Sequence, residues 1–497
     1  MRHRSLARTP RARWLAALTL AIPAAAAAQT AAPVAPPPPG DAAAGTTASD
    51  SAQRIEEQQR RLEEQEQRIR ILERRLEMLD ETAQTTAQTA PVVRAAGNRF
   101  SIQSADGANV LRVRGVVHFD GRQFLDDAAP ATADTWILRR VRPTIEGTLF
   151  NRFDYRITPE FAGGRSVLLD AYGTFRFTPA AQLQVGKFKV PVGLERLVSA
   201  NDLRFIERAF PTSLVPNRDL GVALTGELGK GAFNYALGYF NGVADGASAD
   251  TGTPADAETD GNPDWIARAF FQPFTNSDRF GLRGLGFGVA ATYGKTSGSS
   301  ANSLLPSYRT PGQQSFFTYR AAATGATNGT FANGDRVRIT PQFHYYYGRL
   351  GVLGEYARVS QDVTRTNGTV TRSDTVDVDA WHLQLAWSLT GEEQSFRTFT
   401  PGQPLAAGKP GKGGFEVVAR VHQLTVDDAA FAGGANSFAN PATAAQRATA
   451  AGVGLNWYPV SSIKISLDYE QTRFDGGAAA GDRPDERVLL TRFALGF

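Results

Sequence analysis

The sequence predicts an all-β protein: a 16-stranded antiparallel transmembrane β-barrel with an inward-folded constriction loop, preceded by a short periplasmic coiled coil. Three observations carry this. Residues 98–497 alternate apolar and polar side chains in segments of about 9–14 residues, the length a tilted strand needs to cross a bilayer. Short and long connections alternate between those segments. The chain also ends on an alternating strand closed by an aromatic residue, Phe497.

The elements follow in chain order. Residues 1–28 carry Arg2, Arg4, Arg8, Arg11 and Arg13, then the apolar run "WLAALTLAIPAAAAA" and a small-residue site at Ala26-Ala27-Ala28. This reads as a signal peptide, the run being too short to span a membrane; a buried or anchoring N-terminal helix is the alternative. Residues 29–50, rich in Ala, Pro and Gly, read as a disordered linker. From 51 to 80, Ile55, Leu62, Ile69 and Leu76 recur every seven residues, with Leu72 and Leu79 at the matching d positions and Gln58 and Gln65 weakening the first half. That is the pattern of a short coiled coil, although a single charged helix in solvent also fits so short a run. A second linker is expected over 81–97.

In 110–122, Leu111, Val113, Val117 and Phe119 share one parity, opposed by Arg112, Arg114, His118, Asp120 and Arg122. In 137–149 the apolar set is Ile137, Val141, Ile145 and Leu149, opposed by Arg140, Arg142, Thr144 and Glu146. Period-2 alternation marks strands with one apolar and one polar face. The same pattern predicts further strands near 153–161, 166–177, 182–190, 220–228, 232–241, 263–273, 285–296, 337–347, 350–360, 378–389, 414–426, 446–457, 462–474 and 486–497. Closing that many strands leaves an aqueous lumen. Two connections on the short side, 274–284 and 390–413, are longer than the scheme requires.

The stretch "VPVGLERLVSANDLRFIERAFP" breaks the strand pattern on the long-loop side, after the fifth strand. Ser199, Asn201 or Asp202 can cap a helix that Pro211 stops, placing Arg204 and Arg208 on one face. Leu203, Ile206 and Phe210 then pin the other face to the barrel wall, and the loop narrows the lumen. The competing reading is an external loop whose arginines pair with Glu195, Asp202 and Glu207.

Charge is placed locally. Without residues 1–28 the formal net charge falls from +4 to −1 (4 − 5), so nothing draws the chain to nucleic acid. Residues 110–210 nevertheless hold 15 Lys/Arg against 11 Asp/Glu, whereas 242–264 hold six acids and no base. The chain has no cysteine, and its five histidines form no metal or Ser/His pattern, so neither a cofactor nor an enzymatic site is expected.

Several stretches together resemble the phosphate-selective porins O and P: "LRRVR" (138–142), Asp170 in "LLDAY", "VGKFKVPVGLE" (185–195), "FIERAFP" (205–211), "RDLGVALTGEL" (218–228), "LTGEE" (389–393), "GVGLNWYP" (452–459) and the final Phe497. The resemblance implies a homotrimeric outer-membrane channel that takes up phosphate or polyphosphate through a basic constriction and contacts outer-membrane lipid. It places Arg139, Arg140, Asp170, Arg196, Ser199 and Arg208 at that constriction. Arg196 stands where the family has a lysine, and Ala200 where it has a second serine, which bears on the choice of anion. Strand parity adds Arg112, Arg114 and Arg142, and the loop adds Arg204, as further lumen-lining residues. Parity also turns Arg139 away from Arg140, so both face inward only if a bulge lies between them. A porin passing other anions or neutral solutes, and a structural outer-membrane anchor, are the alternatives.

Overall fold

The computed structural model describes residues 48–497 apart from 97–98, 126–132, 252–255, 259, 279, 323–327, 369, 407 and 409. The expected signal peptide and most of the expected first linker therefore lie outside the described residues. Two compact units divide near Glu81.

In the first unit, α1 (Ala48–Thr89) covers the heptad segment and continues beyond it. Every described side chain on it between 51 and 85 is exposed. Where the sequence reading placed a linker over 81–97, α1 extends to Thr89 and Val92–Ala96 forms a strand. Residues 82–89 are Ala, Gln and Thr, so no apolar repeat announces the helix there.

The second unit is a closed antiparallel barrel of 16 strands. They are β1 (Val110–Phe124), β2 (Thr135–Leu149), β3 (Phe153–Glu160), β4 (Val167–Thr178), β5 (Ala181–Lys189), β6 (Arg218–Leu228), β7 (Phe233–Phe240) and β8 (Asp264–Phe271). The rest are β9 (Gly284–Ser297), β10 (Thr330–Tyr347), β11 (Leu350–Thr366), β12 (Thr371–Ser388), β13 (Gly414–Val426), β14 (Ala445–Val460), β15 (Ile463–Ala478) and β16 (Glu486–Gly496). Each pairs with its neighbour in sequence, and β16 closes on β1 with Phe493 opposite Phe119. The C-terminal residue completes the seam: Phe497 N–H donates to the Gly115 carbonyl at 3.0 Å. Its ring lies where a Cβ on Gly115 would sit, so a larger residue there displaces the ring.

The barrel is apolar outside and charged inside. Trp136, Leu138, Leu237, Trp265 and Val453 are more than half exposed, while Arg338 and Arg492 are among the largest fully buried side chains. A water-soluble fold has the reverse arrangement; here the outer face is solvated by hydrocarbon. Inward ion pairs stitch the lumen wall, Arg492 with Asp120 between the neighbouring β16 and β1 at 2.6 Å and Arg338 with Asp264 across β9 at 2.9 Å.

Two features depart from the sequence reading. Strands β10 to β12 run further than alternation indicated, taking in 330–336, 361–366 and 371–377. Their outward faces are polar, so no lipid-facing apolar stripe marks them, while Ala332, Val363 and Val376 point inward and are fully buried. In addition, Ile137 does not share a face with Val141. The register of β1 with β2 slips between His118↔Arg140 and Phe119↔Leu138, leaving Arg139 unopposed. This bulge puts Trp136 and Leu138 on the lipid face before it and Arg140, Arg142 and Thr144 on the lumen side after it.

The lumen is filled unevenly. A hairpin of Ser307–Arg309 and Ser315–Thr318 folds into the mouth, held by Glu486, which accepts from Thr310 Oγ1 at 2.9 Å and Gly312 N–H at 3.2 Å. Tyr308, Phe316 and Phe317 pack there with Leu424, Val426, Phe438 and Phe474. The long connection 390–413 at the short-turn end also folds inward, with Phe399 stacked on Tyr458 at 4.4 Å.

Candidate functional site

The segment 190–217 enters the lumen and is buried along most of its length, including Val190, Val192, Leu214 and Val215 at 0 % exposure. It does not form the helix expected over 199–210. Its regular pieces are α2 (Leu194–Leu197) and a 3-10 turn at Phe210–Ser213. Leu203, Ile206 and Phe210 are buried against the wall as the sequence suggested.

The reason the helix is absent lies in where its peptide groups find partners. Asp468 accepts from Ile206 N–H at 2.6 Å, and Lys464 Nζ donates to the Leu203 carbonyl at 2.6 Å. Asn456 donates to Arg204 O, Arg420 to Glu207 O and Arg492 to Ile206 O, at 2.8, 2.8 and 2.7 Å. Glu355 accepts from Leu194 and Glu195 N–H at 2.8 and 3.2 Å. Side chains of the barrel wall thus replace the bonds an i to i−4 ladder would have made.

Between this loop and the wall of β1 to β6 lies a cavity of about 1230 Å³ that extends from Ser461 and Phe497 at the short-turn end to Leu304 and Arg309 at the mouth. Six expected site residues, Arg139, Arg140, Asp170, Arg196, Ser199 and Arg208, all line it, together with Arg114 and Arg142. The bulge described above is what admits Arg139 and Arg140 together.

Two expected lumen residues do not line this cavity. Arg204 is buried on the far side of the loop, bonded to Glu416 at 2.9 Å and to the Ser395 carbonyl at 3.0 Å. With no helix, residues 204 and 208 share no face, and Arg204 becomes the strut joining the loop to the inward 390–413 connection. Thr398 Oγ1, which donates to Asp202 at 2.6 Å, makes a second such link. Arg112 has the inward parity but sits nearer the short-turn end, outside the cavity.

The cavity also holds bases the sequence reading passed over: Arg156, Arg165, Lys189, Arg218, Arg309 and Lys464. Arg156 was legible from its alternation with Tyr155 and Ile157. Lys189 and Arg218 stand in quoted motifs at the two strand ends flanking the loop, yet only their pairing at 189↔218 shows that they converge. Arg165 and Arg309 come from connections without any pattern.

These bases fall into two groups. Arg114 and Arg156 bond Glu146, Arg139 bonds Glu207 at 2.8 Å, Arg142 bonds Glu160 at 2.5 Å, and Arg218 bonds Asp170 at 2.8 Å. By contrast, the other seven, Arg140, Arg165, Lys189, Arg196, Arg208, Arg309 and Lys464, have no carboxylate within 4.0 Å among the described residues. Arg140 contacts His118 Nδ1 at 3.0 Å. Lys189 donates to the carbonyls of Arg196 and Val198, both at 2.9 Å, and Arg208 to Val198 O at 2.9 Å. Arg196 donates to the Thr212 carbonyl while its buried Nε has no partner.

Burial, with Arg218 nearby, pushes Arg196 down to about 10. Burial, with Arg196 nearby, pushes Arg208 down to about 9; both remain cations at neutral pH. Against the opposing effect of burial, Arg139 holds the Glu207 carboxyl far below its ordinary range. Such a cluster of mutually repelling cations gains from an anion that enters it, Arg196 having a buried Nε left to donate. No group of side chains suited to a metal ion occurs among the described residues.

Among solved structures, OmpT of Vibrio cholerae, folded in vitro, is 11% identical, with 78% of this chain and 98% of that chain covered and a TM-score of 0.47. The outer-membrane channel DcaP of Acinetobacter baumannii is 11% identical at 78% and 98% coverage, TM-score 0.49. An anion-selective porin from Comamonas acidovorans is 12% identical at 78% and 100% coverage, TM-score 0.45. No curated protein matches the chain. Residues 111–497, the whole barrel but its first residue, match the family described as phosphate-selective porin O and P, and the chain belongs to that family.

Proposed function

We propose that this outer-membrane porin passes small anions of the phosphate class by passive diffusion, through a constriction formed by the 190–217 loop and the β1 to β6 wall, in a homotrimer. The observation that carries this reading is the set of cavity bases without a carboxylate partner, among them Arg140 and Lys189 on the wall and Arg196 and Arg208 on the loop. A phosphate must shed part of its hydration at a narrow point, and guanidinium forks held by the frame replace that water. Asp170, neutralising Arg218, keeps the field low enough for release, since an ion that cannot leave blocks the path. Ser199 supplies an exposed hydroxyl at the same cavity.

A porin of the same fold with little phosphate preference is favoured by a different observation. Five of the cavity bases are already bonded to carboxylates, and Ala200 offers no hydroxyl beside Ser199.

Single-channel recording in planar bilayers, in chloride with phosphate titrated in, separates the two. Anion-selective reversal potentials with current blocked by phosphate support the first reading, and block weakens at least about tenfold in Arg196→Ala and Arg140→Ala, or 1.4 kcal/mol. Ohmic conductance indifferent to phosphate supports the second. Block of wild type that persists unchanged in both variants removes these residues from the site.

A further inference from the structure

We infer that α1 is an assembly surface for further copies of this chain, and that its charges specify a parallel, in-register coiled coil. The apolar positions are unpartnered: Ile55, Leu62, Ile69, Leu72, Leu76 and Leu79 are each more than half exposed. They occupy a and d positions of one continuous heptad register. A 42-residue helix with a stripe of this kind and no core of its own is stabilised chiefly by burying that stripe against another helix.

The flanking positions identify the partner. With Ile55 at a, the g positions are Arg61, Arg68 and Arg75, and the e positions that follow each by five residues are Glu66, Glu73 and Asp80. In a parallel coiled coil, g of one helix faces e of the next heptad on its neighbour. Three Arg–acid pairs then form across every interface between identical, in-register helices: 61 with 66, 68 with 73 and 75 with 80. An antiparallel arrangement places g against g and e against e, so that arginine meets arginine and acid meets acid. A slip by one heptad forfeits one of the three pairs and moves Gln65 opposite the Leu72 layer. The ions thus select the same chain, in the same direction, at the same height.

Arg61 and Arg68 already bridge Glu57 and Glu64 within the helix, at 3.0 and 3.1 Å. Those c-position acids are solvent-exposed, so the intrahelical pairs are weak and do not compete with burial of the seam. An unrelated helix could cover the apolar stripe, yet nothing requires such a helix to present acids opposite all three arginines.

The absence of cysteine makes the test direct. Single cysteines are placed in the full-length protein at a seam position, Leu72→Cys, and at an outward f position, Arg74→Cys, and the membranes are oxidised mildly. Heat-modified gel mobility reports that each barrel is folded. The expected result is a covalent dimer at 72 and about tenfold less at 74, because only identical seam residues of parallel, in-register helices meet. Reversing the three arginines to glutamate in the Leu72→Cys protein lowers the dimer several-fold. Reversing Glu66, Glu73 and Asp80 to arginine as well restores it. Equal cross-linking at 72 and 74, no cross-link at 72, or insensitivity to charge reversal each overturns the proposal. None of these readouts depends on conduction, so the outcome is independent of what the barrel passes.

Discussion

Arg139 shows how one residue determines the character of a wall. Because the register slips there, two consecutive guanidiniums face the same cavity, a geometry regular alternation forbids. Yet they do different things. Arg139 is bonded through two nitrogens to Glu207, at 2.8 and 3.2 Å, so it fastens the loop, whereas Arg140 is free of carboxylates and serves the cavity. Arg139→Ala therefore leaves the buried Glu207 with only Arg122, at 3.6 Å, as an ion-pair partner and destabilises the loop's seating by about 1–3 kcal/mol. The expected signature is flickering open-channel current, which Arg139→Ala with Glu207→Gln quiets. If the double variant is as noisy as the single one, the pair is not what seats the loop.

Asp170 permits a prediction of opposite sign. Asp170→Asn releases Arg218 from its ion pair and raises the positive field. Phosphate block should tighten several-fold while unitary conductance in phosphate falls, since release slows. Weaker block would mean that Asp170 acts by placing Arg218 rather than by tempering it.

At the scale of elements, the barrel was written plainly and the loop was not. Each of the 16 strands was expected near its observed position, because a lipid-facing side chain must be apolar wherever its neighbour faces water. The extensions 330–336, 361–366 and 371–377 escaped notice for the same reason, since their outward faces are polar and only inward residues such as Val363 and Val376 are apolar. The loop deceived differently. Its capping residues and i, i+4 arginines satisfy local rules for a helix, but its partners, Asp468, Lys464, Asn456, Arg420 and Arg492, lie more than 200 residues away in sequence. Local pattern cannot register such competition. The candidate site was legible where strands or motifs held it, and illegible for Arg165 and Arg309, which connections deliver.

If those distant side chains hold the loop, removing one matters more than altering most loop residues. Asp468→Leu strands the Ile206 N–H and costs about 1–3 kcal/mol locally. Limited proteolysis of the folded barrel should then cut within 199–209, where the wild-type loop resists. An uncut loop with unaltered conductance would show that the remaining anchors suffice.

For the barrel as a whole, charge is segregated rather than abundant. The side chains lining the cavity include twelve Lys/Arg and four Asp/Glu, an excess of eight (12 − 4) in a chain whose formal total is +4. Such a field acts over roughly a Debye length, about 10 Å at 0.1 M salt and 3 Å at 1 M. Chloride-over-potassium selectivity from reversal potentials should be strong at 0.1 M and decline steadily towards 1 M. Selectivity that stays constant with salt would instead point to steric exclusion.

The way the 190–217 segment is fastened has an evolutionary side. Wall residues grip its peptide groups, which every amino acid but proline supplies alike. What the segment presents to passing solute at 196, 199 and 200 is thereby uncoupled from the path its backbone takes. Mutation at those three positions is expected to alter the permeant while the scaffold keeps its shape.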